Sequence, residues 1–306
     1  IDRLIEAYVE AETMDEIKSL AEQIEQKTFD HAAWVNGWAV PFNRGAYWRY
    51  VKWPEGFNPA NARETDEFMV HWVDSDERDE IERARRTGTT YPNELQVDFP
   101  RTLRTIGPDA TGGIRPYLLD WVEPWWVHPH PNFPGRFYPG LASRWAIDHA
   151  NRTAYLEIDP AARWSDGTPV TTADVEFSFY FYRSPHLREP WYNDFYTTKF
   201  ESVTLFDERT FAITFPEDKP DLERYLGFSP SPRHAYQDFG SAWIEEFQWR
   251  ITPKVGPYQI REGDVKKGRS ITFTRDPSWW GQDKRFFRGR FNPDRVELNV
   301  IRDANK

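Results

Sequence analysis

The chain reads as an α/β fold in which a mixed sheet is flanked by helices, and three stretches of its 306 residues are compatible with that class. In the first, Tyr155, Glu157 and Asp159 alternate with Leu156 and Ile158 as in a half-buried strand, Asp166-Gly167 with Pro169 turns the chain, and a helix follows to about Tyr182. In the second, Phe200–Phe206 and Thr210–Phe215 flank Asp207-Glu208-Arg209 as the arms of a hairpin. In the third, Ile17, Leu20, Ala21, Ile24 and Thr28 recur at helical spacing between Asp15 and Asp30, which predicts an amphipathic helix lying on something apolar. Such alternation suits layered α/β domains without fixing their topology.

A hydrophobic content of 39%, with 17% aromatics, is ample for a sizeable core in one large domain or two. The net charge of −10 opposes the basic footprint of a nucleic-acid-binding surface, so no nucleic-acid partner is expected. There is no run of 18 apolar residues, and Ile1-Asp2-Arg3 does not open a charged segment followed by an apolar one; neither a membrane span nor a signal peptide is expected within this chain. The absence of cysteine excludes disulfides, thiolate catalysis and zinc–thiolate sites.

Beyond the first helix, Ala32 to Val51 is extended and aromatic, with Trp34, Trp38, Phe42, Tyr47 and Trp48 punctuated by Gly37, Pro41 and Gly45. Asp66 to Gly88 is a charge-rich helical stretch ending in Arg85, Arg86 and Gly88, where cations and glycine suit a helix C-terminus. Leu95, Val97 and Phe99 alternate before Pro100 as a strand, and the Gly-, Pro- and Asp-rich region from about 101 to 148 carries Arg101, Arg104 and Arg115. His128-Pro-His130-Pro invites a metal reading, but no carboxylate or cysteine stands at ligand spacing, so no metal or other cofactor is expected. Asn151-Arg-Thr153 matches a glycosylation acceptor, a weak signal alone. Thr171, three positions before Asp174, is placed to cap the helix that follows. Trp191 to Tyr196 is an aromatic cluster with amide and carboxylate handles, Ser241 to Trp249 a short helix, and the basic run Lys284 to Arg290 reads as a solvated loop without a role.

The strand–turn–helix corner carries more than its geometry. Its text, RWSDGTPVTTADVEFSF, resembles the signature of the family 5 extracellular solute-binding proteins, the dipeptide- and oligopeptide-binding receptors of bacterial ABC importers. VGPYQI (Val255–Ile260), ITFTRDPSWWG (Ile271–Gly281) and DRVELNVIRDANK (Asp294–Lys306) agree in family order, over roughly residues 94–306, and resemble most the branch of the YejA-type peptide receptors. The resemblance implies a lobe of the periplasmic binding protein type II kind, with the loop-rich region of about 101–148 partly an added subdomain. It implies a periplasmic location, or an extracellular membrane-associated one in a Gram-positive source, and an ABC membrane permease as partner. Residues 1–93 resemble the segment that ends a family member, and 94–306 its first lobe. That order implies a permuted receptor lacking its second lobe, a junction between tandem copies, or separate pieces joined in one numbering. In a permuted lobe, 86–94 would be an exposed connector, 34–40 would pair in the sheet of later residues, and 299–306 would end at the edge of a half-cleft that binds weakly.

Such receptors bind their ligand without covalent chemistry, and the corner holds no nucleophile, base and oxyanion arrangement, so no catalytic residue is assigned. The cleft residues implied are Arg104, Trp126, Trp191 and Tyr192, with Trp38 and Arg44. Arginine pairs bidentately with a carboxyl terminus and aromatics cover apolar side chains, although each residue also suits packing or a surface ion pair. Oligopeptides are the expected ligand and oligosaccharides the alternative. Fifteen tryptophans and fourteen tyrosines also suit a carbohydrate-active enzyme, but no local motif supplies the carboxyl pair it needs. A purely structural role would bind no small ligand saturably.

Overall fold

Ala154, Leu156 and Ile158 are buried on one face of a strand while Tyr155 between them is exposed, the period-two pattern of a strand with one face on a core. The computed structural model of the protein describes residues 1–11, 13–31, 49–55, 71–85, 122–130 and 135–299. It opens with two contacting helices, α1 (Asp2–Glu10) and α2 (Met14–Asp30), the second beginning at a reciprocal cap between Thr13 and Glu16. Strand β1 (Val51–Lys52) pairs with β2 (Trp72–Val73), and α3 (Ser75–Arg85) follows. This helix starts later than its charge-rich sequence suggests, because Asp74 Oδ1 accepts the Glu77 N–H at 3.0 Å and caps it there.

The main sheet comprises β5 (Ala142–Asp148), β6 (Thr153–Ile158), β7 (Ser202–Leu205) and β8 (Thr210–Thr214) in the order β5-β6-β8-β7. A short hairpin of β3 (Val127–Pro129) and β4 (Phe137–Pro139) precedes it. Leu156 stands opposite Phe211 and Ala154 opposite Ile213, so cross-strand pairs build the inner face. On that face lies α4 (Thr172–Arg183), which buries Val175, Ser178, Phe179, Phe181 and Tyr182, and beside it α5 (Pro190–Thr198). The aromatic cluster expected at Trp191–Tyr196 is thus helical, with Pro190 in the first turn where its missing N–H costs nothing. Within 241–249 the helix is a single turn, α6 (Trp243–Glu246).

A second sheet joins β10 (Val265–Lys266), β11 (Ser270–Arg275) and β12 (Arg295–Asn299), with β9 (Tyr258–Gln259) also on β11. The apolar interior accordingly falls into two clusters. One gathers around Trp126, Leu156, Phe181, Phe211 and Trp243, the other around Tyr138, Tyr258, Phe273, Trp279 and Phe287. Among the described residues every strand pairing is antiparallel; the parallel pairs that a mixed sheet requires are not among them. The strand expected near 95–99, most of the loop-rich region, and the segments 34–40, 86–94 and 300–306 lie outside the described residues.

Candidate functional site

The corner is locked by short-range polar contacts that its sequence dictates. Gly167, at φ +87°, makes the left-handed step of the turn, and Asp166 Oδ1 accepts the Thr168 N–H at 3.0 Å. Asp174 then becomes a hub: its carboxylate accepts the N–H of Thr171 at 2.9 Å, that of Arg233 at 2.9 Å and the indole N–H of Trp164 at 3.4 Å. Burial raises its pKa although these donors favour the charged form. Arg233 lies in the PSPRHAY turn, whose His234 pairs with Asp166 at 2.6 Å. On the other side Ser165 and Lys254 exchange hydrogen bonds, Ser165 N–H to Lys254 O at 2.7 Å and Lys254 N–H to Ser165 Oγ at 3.2 Å. The corner motif therefore bonds directly to the residue that precedes the Val255–Ile260 motif.

Glu123, which sequence reasoning passed over, meets the same junction. Its Oε2 accepts the N–H groups of Val255 and Gly256, both at 3.1 Å, and its Oε1 is buried with no hydrogen-bond partner. Desolvation pushes this carboxyl up to about 6 against the pull of Lys254. A side chain on Gly256 would meet Glu123 Oε1 and the Val122 carbonyl oxygen, each at 3.0 Å, so glycine lets the carboxylate approach the backbone. A lone glutamate inside Trp121-Val122-Glu123-Pro124-Trp125-Trp126 was the available signal, since a charge amid apolar residues needs a partner.

His128 is a packed ring, and the basic run is not the solvated loop its sequence suggests. The His128 ring is stacked between Trp125 at 5.4 Å and Tyr138 at 5.1 Å, and its Nε2 accepts the Trp125 N–H at 3.0 Å. Burial, with the Arg290 charge, pushes it down to about 3 and keeps it neutral. Among the described residues no group of three or more His, Asp or Glu is arranged to hold a metal ion. In the basic run Lys284 Nζ reaches the buried Asp159 at 2.5 Å, Phe287 is buried, and Arg290 donates to the Tyr138 hydroxyl at 3.1 Å. The run is a clasp between the two clusters rather than a solvated loop, because its aromatics bury and draw the cations to partners.

Of the expected cleft residues, Arg104, Trp38 and Arg44 lie outside the described residues. Trp191 and Tyr192 stand together on α5. Trp191 is 62% exposed, stacked on Phe195 at 5.2 Å and edge-on to Tyr192, which stacks in turn on Tyr182. Asn193 anchors the helix by donating to the carbonyls of Tyr182 and Ser184. Trp126 is elsewhere: fully buried, it packs its edge on Phe211 and Phe228, and its ring presents no surface in this conformation. A groove of about 500 Å³ runs between α1 and α2, lined by Ala7, Glu10, Glu16, Leu20 and Gln23 among others. The exposed aromatic step on α5 offers ring faces for apolar or planar groups.

The family model of the bacterial extracellular solute-binding proteins, family 5 Middle, matches residues 136–306. The peptidoglycan-binding protein YepA of Agrobacterium fabrum is 31% identical over 160 residues, 49% of this chain and 24% of that protein. The periplasmic oligopeptide-binding protein OppA of Salmonella typhimurium is 27% identical over 177 residues, 52% of this chain and 30% of that protein. The chain thus spans under a third of the length of these curated relatives. The structure of the oligopeptide-binding protein AppA from Bacillus subtilis, in complex with a nonapeptide, superposes with a TM-score of 0.54 at 17% identity, over 69% of this chain and 40% of that one. At that identity the likeness carries the fold alone, an α/β lobe of the type II periplasmic binding protein kind.

Proposed function

Because the chain belongs to the family 5 bacterial extracellular solute-binding proteins, we propose that it acts in solute recognition for an ABC importer, takes short peptides, and performs no covalent chemistry. The observation that carries this reading is the family match over 136–306, which contains the corner centred on Asp174 and its hydrogen bonds to Arg233 and to Lys254, the residue before the Val255–Ile260 motif. The peptide class is supported by the similarity to OppA. The working partner is a membrane permease, and the place of action is the periplasm or the outer face of a membrane. Affinity in such a receptor depends on closure of two lobes about a hinge, so this lobe contributes one wall.

A second ligand class has a specific observation behind it. The similarity to YepA and the exposed, stacked ring of Trp191 both suit a peptidoglycan fragment, whose sugar faces pack on aromatic rings. Trp191, Tyr192 and Arg104 are the residues proposed to touch either ligand. Titration of tryptophan fluorescence with tri- to pentapeptides, muropeptides and chito-oligosaccharides, followed by product analysis, separates the readings. Saturable change with peptides and unaltered products are expected; shortened saccharides indicate an enzyme, and no saturation with any of them a structural role. Unchanged affinity when Arg104→Ala and Trp191→Ala are combined removes the proposed contacts while leaving the function standing.

A further inference from the structure

The two apolar clusters are joined where the chain crosses from one to the other, and Glu123 sits at two of these crossings at once. Val122 belongs to the cluster of the second sheet and Trp126 to that of the main sheet; Val255 belongs to the main-sheet cluster and Tyr258 to the other. The Glu123 carboxylate ties the first crossing to the second through the Val255 and Gly256 N–H groups. Val255 is fixed from its other side as well, its carbonyl accepting the indole N–H groups of Trp279 at 2.8 Å and Trp280 at 3.0 Å. Lys254, one residue before, carries the hydrogen bonds to Ser165 and hence to the corner.

We propose that Glu123 is a proton-operated latch between the two halves of the core, closing the joint at Val255–Gly256 when uncharged and loosening it when charged. The sign follows from linkage. With the joint closed the carboxyl is desolvated and titrates near 6; with the joint open it is hydrated and returns to its ordinary 4.5. The closed form binds the proton more tightly, so closure strengthens as pH falls through 6 towards 4.5 and weakens as pH rises through the same window. Lys254 is the charged group acting on Glu123 from the facing segment; its attraction and the two N–H groups on Oε2 oppose the shift, and burial of the carboxyl with its Oε1 unpartnered outweighs them. On the segment of Glu123 itself, His128 accepts the Trp125 N–H and is neutral throughout this window, so it adds no charge. The inference is independent of the ligand class and of the transport reading.

Amide hydrogen exchange of the full chain, corrected for intrinsic rates, tests the latch at about pH 5 and about pH 7.5. Protection of the Val255 and Gly256 amides is expected to be about eightfold higher at the lower pH, with roughly thirtyfold the ceiling that a rise from 4.5 to about 6 permits at still lower pH. Glu123→Gln, permanently uncharged, is expected to hold high protection at both. Flat protection in the unaltered protein, or an unchanged pH dependence in Glu123→Gln, overturns the proposal. Should Glu123→Gln fail to fold, Lys254→Met supplies the decision: losing the cation moves the midpoint of the exchange profile above that of the unaltered protein, and an unmoved midpoint overturns the latch.

Discussion

Gly140 admits no larger residue, because a Cβ there would stand 2.0 Å from the Trp125 carbonyl oxygen and 2.8 Å from the His128 ring. Gly140→Ala must push apart the stack Trp125–His128–Tyr138, and about 1–3 kcal/mol of lost stability is expected, read as a lower urea midpoint. His128 itself gives a pH signature. Its pKa falls from 6.5 in the unfolded chain to about 3 in the fold, so its contribution is complete above 6.5 and drains as pH falls towards 3. Glu123 runs in the opposite sense between 4.5 and 6, so the stability of the unaltered protein alone mixes the two. The difference between that protein and His128→Asn isolates the imidazole and should shrink by about 1.4 kcal/mol per pH unit below 6.5. A constant difference from neutral pH to about 5 contradicts this account of His128. At this scale the sequence was least legible: nothing in it announced the ring stack that holds His128, and Lys284–Arg290 read as a solvated loop, because the burial that decides both comes from residues distant in the chain.

The elements were more readable where local chemistry governs them. Thr171 and Asp174 announced the start of α4, and the loop Asp207-Glu208-Arg209 announced its hairpin, where Asp207 Oδ1 accepts the N–H groups of Arg209 at 2.7 Å and Thr210 at 2.8 Å. Helix α5 escaped, since a nine-residue segment with four aromatics carries weak helix propensity and is held by packing on Tyr182 and by Asn193. The hub predicts its own mutant. Asp174→Ala removes the shared acceptor of Thr171 and Arg233 and leaves polar groups unpaired in a largely buried place, so a loss of about 2–4 kcal/mol in urea unfolding is expected. A loss below about 0.5 kcal/mol, the range of an ordinary surface change, contradicts the hub.

At the scale of the whole molecule, two apolar clusters are clasped by Lys284–Asp159, by the ring stack on His128 and by Glu123 at Val255–Gly256. The family was legible because its motifs lie at this joint and are written in consecutive residues. Burial was less legible, because Trp126 belongs to the core while Trp191 stands exposed on α5 beside the half-buried Tyr192, a difference no spacing reveals. The central claim is recognition of a small ligand without chemistry. Native mass spectrometry of the freshly purified protein tests it most directly: a non-covalent adduct of peptide mass, released intact on unfolding and restored by adding back the peptide, is the expected result. Bare protein that takes up neither peptides nor muropeptides under the same conditions, or an added ligand recovered as cleaved products, contradicts it.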